Sequence, residues 1–180
     1  SSEGSELILG RPQPTSVQWK YSRRLLQTRT TPMALMETVV DGAELSLPHQ
    51  SLGDKYIELI SEVVKDLPNV TRLDLRDNRL TDVGVQEIVE AICSIEGHRG
   101  IEVLDLSENK LDTVSAQSLC VFLTSPTCRL REIKLAKADM DDGETAIVME
   151  AMRTNHSVRY LDFSENAIGG KHEKTQRMSG

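Results

Sequence analysis

The sequence predicts an α/β solenoid, a right-handed β-α superhelix with about five parallel strands on its concave face and helices on its convex face. Two observations support this prediction. A pair of apolar residues two positions apart recurs at spacings of 28, 31, 29 and 28 residues, and such a period is typical of stacked repeats. A segment with helical periodicity follows four of the five pairs, so each repeat except the last supplies a strand and a helix.

The five pairs mark the strands, because alternate side chains of a strand face the same side of a sheet. Numbered as repeats 1 to 5, the pairs are Leu45 and Leu47, Leu73 and Leu75, Leu104 and Leu106, Ile133 and Leu135, and Leu161 and Phe163. Asn78, Asn109 and Asn166 follow three of the pairs, and a buried amide there can bond the backbone of the neighbouring turn. Gln50 and Ala138 depart from this pattern. Ala138 has no amide, so the ladder of bonds is expected to be weaker there.

The helical segments are identified by apolar residues that share one helix face. Repeat 2 gives the clearest pattern, with Val85, Ile88, Val89 and Ile92 at i, i+3, i+4 and i+7. The other expected core residues are Tyr56, Ile57, Ile60, Val63, Val64 and Leu67 in repeat 1, Leu119, Phe122 and Leu123 in repeat 3, and Ala146, Ile147, Ala151 and Met152 in repeat 4.

Three segments carry a resemblance to a known family. Residues 73–80 read Leu-Asp-Leu-Arg-Asp-Asn-Arg-Leu, residues 104–111 read Leu-Asp-Leu-Ser-Glu-Asn-Lys-Leu, and residues 161–168 read Leu-Asp-Phe-Ser-Glu-Asn-Ala-Ile. They resemble the ribonuclease-inhibitor-like leucine-rich repeats, over roughly residues 42–168. That family includes ribonuclease inhibitor, the Ran GTPase-activating protein, the sensing regions of NOD-like receptors and the tropomodulins. The resemblance therefore implies a fold rather than one function.

The chain divides into three predicted regions. Residues 1–31 form an N-terminal extension or cap, residues 32–168 the leucine-rich repeat domain, and residues 169–180 a polar C-terminal tail. The extension mixes aromatic, basic and leucine side chains, which fits either a motif that docks on a partner or a cap over the first repeat. A helix is expected from about Pro32 to Val40. The repeats end on a strand, so either the chain is a fragment of a longer array or another chain covers that edge.

Composition excludes some classes of function. The net charge is −7, with three acidic and five basic residues in positions 1–40, so the remaining residues carry −9. This argues against a nucleic-acid-binding protein, and no apolar run is long enough to span a membrane. Cys93, Cys120 and Cys128 form no regular disulfide framework, and the first two fall in helical segments as small apolar residues. A cytoplasmic location is therefore expected, with the glycosylation sequons at Asn69 and Asn155 serving structural roles.

No pattern in the sequence indicates catalysis. A nucleophile elbow, a phosphate-binding loop and zinc-ligand spacing are all absent from the sequence. We therefore expect no enzymatic activity, no cofactor, no metal site and no small-molecule substrate.

The candidate functional surface is the concave face, where side chains on either side of the strand leucines point away from the core. We expect it to bind another protein, one with a basic surface, because acidic residues recur there and solenoids commonly bind through this face. Val103 and Tyr160 are the expected apolar anchors. The predicted contact residues are Arg72, Asp74, Arg76, Val103, Asp105, Glu108, Lys134, Tyr160, Asp162 and Glu165. Three aspartates in one column are expected to repel one another until a basic partner binds.

Two alternatives to a simple binding module remain open. The first alternative is a GTPase regulator similar to the Ran GTPase-activating family, although none of that family's functional residues can be matched here. The second alternative is a structural or assembly subunit that associates through its open repeat end.

Overall fold

The predicted α/β solenoid is confirmed. The computed structural model describes residues 43–66, 69–95 and 100–169. In chain order, the elements are β1 (Glu44–Ser46), α1 (Gly53–Asp66), β2 (Arg72–Asp74), α2 (Asp82–Cys93), β3 (Val103–Asp105), α3 (Thr113–Thr124), β4 (Glu132–Lys134), α4 (Asp142–Met152) and β5 (Tyr160–Asp162). The predictions for residues 1–31, for the helix at 32–40 and for the tail beyond Gly169 lie outside the described residues.

The strands form one parallel sheet in the order β1-β2-β3-β4-β5. The register is constant, because the first leucine position of each repeat pairs with the same position of the next: Leu45 with Leu73, Leu73 with Leu104, Leu104 with Ile133, and Ile133 with Leu161. Both apolar residues of each pair are buried in repeats 1 to 4, whereas Leu161 and Phe163 of repeat 5 are half-buried. The sheet therefore ends at an edge whose apolar residues are less covered than those of the interior.

The helices bury the faces that the sequence predicts, with one local error. Val85, Ile88, Val89 and Ile92 of α2 are all buried, as are the expected apolar residues of α3. In α4, Ala151 is buried and Ile147 and Met152 pack against the core, as predicted. Ala146 is exposed, however, and Val148, which was not predicted, is buried.

The cysteines are free, in agreement with the expectation of no disulfide framework. Cys128 is buried and Cys120 is half-buried, which suits small apolar residues. Cys93 departs from this expectation, because it is the last residue of α2 and lies exposed. Burial of part of its side chain, with Cys128 and Glu90 nearby, raises the pKa of the Cys93 thiol.

The asparagine side chains bond repeats 2, 3 and 5 to the repeat before each of them. Asn109 shows the arrangement: its Oδ1 accepts from the N–H groups of Asn78 and Leu80, both at 3.0 Å, and its Nδ2 donates to Leu75 O at 3.0 Å. Asn78 makes the equivalent three bonds to Gln50, Leu52 and Leu47. Both amides are buried, so they satisfy backbone groups that water cannot reach.

The joint between repeats 3 and 4 lacks these amide bonds because Ala138 stands at the asparagine position. A backbone bond of 3.0 Å from Leu111 N–H to Ala138 O remains across this joint. The next joint recovers the full pattern, since Asn166 accepts from Ala138 and Met140 and donates to Leu135 O. The prediction of a locally weaker ladder at Ala138 is confirmed at the level of hydrogen bonds.

Carboxylates at the helix starts form a second set of bonds between repeats. Asp54 at the start of α1 accepts from Thr81 N–H at 2.9 Å and from Gly84 N–H at 3.1 Å, and thereby caps α2 of the next repeat. Asp82 does the same for Ser115 of α3. A Cβ on Gly84 would overlap Asp54 Oδ1. Glycine at this position therefore leaves room for the cap supplied by the preceding repeat.

Replacement of Asn109 by alanine is expected to lower the free energy of unfolding by about 3 kcal/mol. The reason is the loss of three bonds between repeats, each with a net contribution of about 1 kcal/mol, which leaves two buried N–H donors unpaired. Urea denaturation followed by circular dichroism measures this loss. The matched control is Gln50→Ala, because Gln50 is exposed and, among the described residues, its side chain bonds only to Pro48 O of its own repeat. Equal losses in the two variants would contradict the structural role of the asparagine.

Candidate functional site

The parallel register places the outward-facing residues of the five strands in columns. The first column contains Glu44, Arg72, Val103, Glu132 and Tyr160, and the middle column contains Ser46, Asp74, Asp105, Lys134 and Asp162. Neighbouring strands lie about 5 Å apart, so side chains of one column contact one another. We call these columns, with the residue that follows the second apolar residue of each pair (Pro48, Arg76, Ser107, Ala136 and Ser164), the strand face. Seven predicted contact residues lie in these two columns, namely Arg72, Asp74, Val103, Asp105, Lys134, Tyr160 and Asp162, and the other three, Arg76, Glu108 and Glu165, follow the strands in the sequence.

Exposure varies across the predicted contact residues. Tyr160 is 51% exposed, and Val103 is half-buried beside Glu132. Asp105 is only 7% exposed, so a partner would reach little of this carboxylate, contrary to the expectation that the whole column is available. Arg76 is half-buried, and its Nε has no hydrogen-bond partner among the described residues.

The aspartates of the middle column end their strands by accepting backbone hydrogen bonds. Asp74 Oδ1 accepts from Arg76 N–H at 3.0 Å, Asp105 Oδ1 from Ser107 N–H at 3.0 Å, and Asp162 Oδ1 from Ser164 N–H at 2.9 Å. A side-chain oxygen that bonds an N–H two residues later stabilises a turn. These aspartates therefore have a structural role that the sequence analysis missed, although their identical place in three repeats is a signal for it.

Lys134 changes the electrostatics that the sequence predicts for this column. It lies between Asp105 and Asp162, so Asp162 neighbours a cation and not another aspartate. Its Nζ is 3.0 Å from Glu132 Oε1, and this hydrogen bond raises the pKa of Lys134. Hydrogen bonds from Ser164, helped by Lys134, lower the pKa of Asp162. The prediction that three aspartates repel one another is therefore wrong for Asp162, because its lowered pKa favours the charged carboxylate.

A rim of polar residues follows the strands, at the position just before the asparagine or its equivalent. These residues have left-handed backbone with φ between 50° and 59°, and they are His49, Asp77, Glu108, Lys137 and Glu165. Non-glycine residues rarely adopt this conformation. It is held because the N–H of the rim residue in repeats 1 to 4 donates to a carbonyl of the next repeat at 2.8–3.0 Å. The result is a second acidic column, called here the rim.

The ion pairs of Lys137 on the rim and of Lys134 on the adjacent strand neutralise only part of this negative charge. Lys137 Nζ lies 3.4 Å from Glu165 Oε2, and His49 Nδ1 lies 2.8 Å from Asp77 Oδ2. Within the strand face and rim, eight carboxylates accompany four lysines and arginines. The sequence analysis recognised Glu108 and Glu165 here but missed the pairing of His49 with Asp77. The surface is therefore acidic after its internal pairs are taken into account.

Comparison with known proteins identifies the repeats. A family model for leucine-rich repeats matches residues 66–89 and 154–171. Ribonuclease inhibitor of Mus musculus is 24% identical over 146 residues, which is 80% of this chain, and that of Sus scrofa is 28% identical over 127 residues, 70% of this chain. The repeats thus match a leucine-rich repeat model and are similar to those of the ribonuclease inhibitors.

Leucine-rich repeats of this kind also occur in larger relatives. The human NACHT, LRR and PYD domains-containing protein 12 is 25% identical over 170 residues, 93% of this chain. The chain spans only 15% of that relative and 31% and 27% of the two ribonuclease inhibitors. An array of stacked leucine-rich repeats is a protein-interaction repeat module.

The described residues offer neither a metal site nor a membrane-spanning helix. Within residues 43–66, 69–95 and 100–169, no three His, Cys, Asp or Glu side chains are placed to hold a metal ion. In those same ranges, every helix is too short or too polar to cross a bilayer.

Replacement of Ser164 by alanine is expected to raise the pKa of Asp162 toward its ordinary value, because the hydroxyl bond that favours the carboxylate is lost. A lowered pKa contributes stability that is present above the ordinary aspartate range and is lost as pH falls through the folded-state pKa. The variant should therefore show less of this pH-dependent stability. Carbon-13 NMR titration of the Asp162 carboxyl measures the shift. The control is Ser125→Ala, in the loop after α3, and an unchanged Asp162 pKa in Ser164→Ala would contradict the assignment.

Proposed function

We propose that this chain is a non-enzymatic binding module whose strand face and rim dock a basic surface of another protein. The observation that supports this most directly is the excess of carboxylates on one continuous surface of the repeats. Opposite charge on the partner steers association and fixes its orientation. The surface lies on regular strands held by hydrogen bonds between repeats, so little ordering of the backbone is needed on binding.

The proposed contact surface has an apolar part and a charged part. Tyr160 and Val103 lie in the first column on either side of Glu132, and aromatic residues are common among the strongest contributors to binding. Asp74, Asp162, Glu108 and Glu165 supply the charge around them. We leave Asp105 out of the contact surface because it is buried, and we assign it to turn formation.

The identity of two relatives suggests a first class of partner to test. The mouse and pig relatives are ribonuclease inhibitors, and a ribonuclease with a basic surface would complement the acidic strand face. The chain covers less than a third of those relatives. We therefore choose a ribonuclease as a test ligand on the basis of its charge and of the sequence similarity to these inhibitors. The proposed location, in the cytoplasm, fits the free cysteines.

The alternatives from the sequence remain predictions. Nothing in the structure favours GTPase regulation in particular. Association through an open repeat end has limited support from the partial exposure of Leu161 and Phe163 and from the 47% exposure of Ile168.

Charge removal from the strand face tests the proposed function. In the test variant, four acids become amides: Asp74→Asn, Asp162→Asn, Glu108→Gln and Glu165→Gln. The Asn substitutions keep the oxygens that accept the turn hydrogen bonds. Binding to an immobilised pancreatic-type ribonuclease and to other basic proteins is measured by surface plasmon resonance over a range of salt concentrations. We expect affinity to fall about tenfold or more and its dependence on salt to weaken.

The matched control removes four charges from the helices, in the variant Glu58→Gln, Glu62→Gln, Glu87→Gln and Glu150→Gln. This control should retain native binding, because its charges lie on the convex side. Equal loss in both variants would show a general effect of net charge and contradict a role for the strand face. Unchanged binding by the test variant would contradict it as well.

A further inference from the structure

The side of the sheet at which the strands begin differs in charge from the rim, which lies at the side where the strands end. Arg129, Arg131 and Arg159 line a hollow of about 350 Å³ together with Cys128 and Ser157. All three arginines are exposed. Such a cluster is unexpected in a chain with a net charge of −7. The strand face does not include these residues, so the cluster is a separate feature of the molecule.

The repeat ladder holds two of these arginines side by side. Arg131 directly precedes β4 and Arg159 directly precedes β5, and Arg159 N–H donates to Arg131 O at 2.7 Å. The Cα atoms of Arg131 and Arg159 are therefore about 5 Å apart, the spacing of neighbouring strands. Like charges in directly neighbouring positions of a sheet destabilise it. An anion between the two guanidinium groups would remove that cost.

Glu102 lies beside the arginine cluster but compensates little of the positive charge of the cluster. Glu102 precedes β3, and its Oε2 lies 3.4 Å from Arg131 Nε. The side chains are 70% exposed for Arg131 and 44% exposed for Glu102, so the pair is weak and can exchange partners. Neither Arg129 nor Arg159 has an ion-pair partner among the described residues.

The backbone around the hollow is fixed by hydrogen bonds. Asn155 Nδ2 donates to Leu123 O at 2.7 Å, and its Oδ1 accepts from Ser157 N–H at 2.9 Å and Val158 N–H at 2.8 Å. This agrees with a structural role for the Asn155 sequon. The aliphatic part of Arg129 lies over Gly100, where a Cβ would come within 3.0 Å of Arg129 Cγ. The arginines therefore extend from an ordered edge.

We propose that Arg129, Arg131 and Arg159 bind the carboxylates of an acidic peptide segment. The planar guanidinium group presents paired donors that match a carboxylate, and it keeps its charge at any physiological pH. An adjoining hollow of about 350 Å³ shares Cys128 and Ser157 and is lined by polar groups of Thr124, Thr154 and His156. Together the two hollows offer a length of surface suited to an extended peptide.

A peptide fits this edge better than a nucleic acid does. Proteins that bind single strands combine basic grooves with aromatic side chains on which bases stack. The described residues that line the two hollows include no aromatic ring other than His156.

The test measures binding of a fluorescein-labelled peptide of about ten residues, half of them glutamate, by fluorescence anisotropy. A peptide with glutamine in place of glutamate is the ligand control. The double variant Arg131→Gln, Arg159→Gln should lose about tenfold or more in affinity at low salt. Arg129→Gln, which lies outside the strand ladder, should weaken binding in the same direction.

The control protein is the double variant Arg79→Gln, Arg153→Gln, which removes the same charge from exposed positions elsewhere. It should bind the acidic peptide within about twofold of the native chain. Thermal unfolding provides a second readout, because removing neighbouring like charges should leave the melting temperature of Arg131→Gln, Arg159→Gln equal or higher. The proposal is overturned if the control loses as much affinity, if the glutamine peptide binds equally, or if a single-stranded oligonucleotide of equal charge binds more tightly.

Discussion

The hydrogen bonds of the buried asparagine amides are the interaction on which the rest of this structure depends. Each amide accepts two backbone N–H groups of the preceding repeat and donates to one of its carbonyls, as Asn109 does for Asn78, Leu80 and Leu75. A turn that leaves a strand inside a solenoid has no neighbour in its own repeat to satisfy these groups. The amide supplies the missing partner and fixes the distance between repeats.

The proposed binding surfaces follow from this fixed stacking. Since the register never shifts, residues at one position of the repeat form columns across five strands. Acidic residues collect where the strands end, and Arg131 and Arg159 become neighbours where the strands begin. One protein can thus present surfaces of opposite charge at the N-terminal and C-terminal ends of the strands of one sheet. In this account, binding specificity depends on which side chains occupy the columns, while the repeats supply the geometry.

Much of the fold was predictable from the sequence because its determinants are local and repeated. The leucine pairs give the strands, and the asparagines mark the turns, including the weak joint at Ala138. In α4, Ala146 was wrongly predicted to be buried and Val148 was missed, because both are apolar and periodicity alone cannot decide between neighbouring positions of similar composition. The left-handed backbone at Glu108 and Lys137 was also missed, since no glycine marks it and bonds to the next repeat impose it.

The candidate site was predicted less completely, because its properties depend on neighbours in other repeats. Asp105 has the same sequence context as Asp74, yet only Asp105 is buried. The lowered pKa of Asp162 depends on Ser164 and on Lys134 of the adjacent strand. The cluster of Arg129, Arg131 and Arg159 spans two repeats, so single-repeat motifs do not reveal it. Stacking creates these features, and the repeat motif alone does not contain them.

Amide hydrogen exchange measured by NMR tests the central claim most directly. Asn78 and Asn109 hold the same position in successive repeats and are both buried. The Asn78 N–H donates to the Asn109 amide at 3.0 Å, whereas Ala138 offers no side-chain acceptor to the Asn109 N–H. We predict that the Asn78 N–H exchanges at least about tenfold more slowly than the Asn109 N–H. Equal protection of the two would contradict the claim that the asparagine amides hold the repeats together.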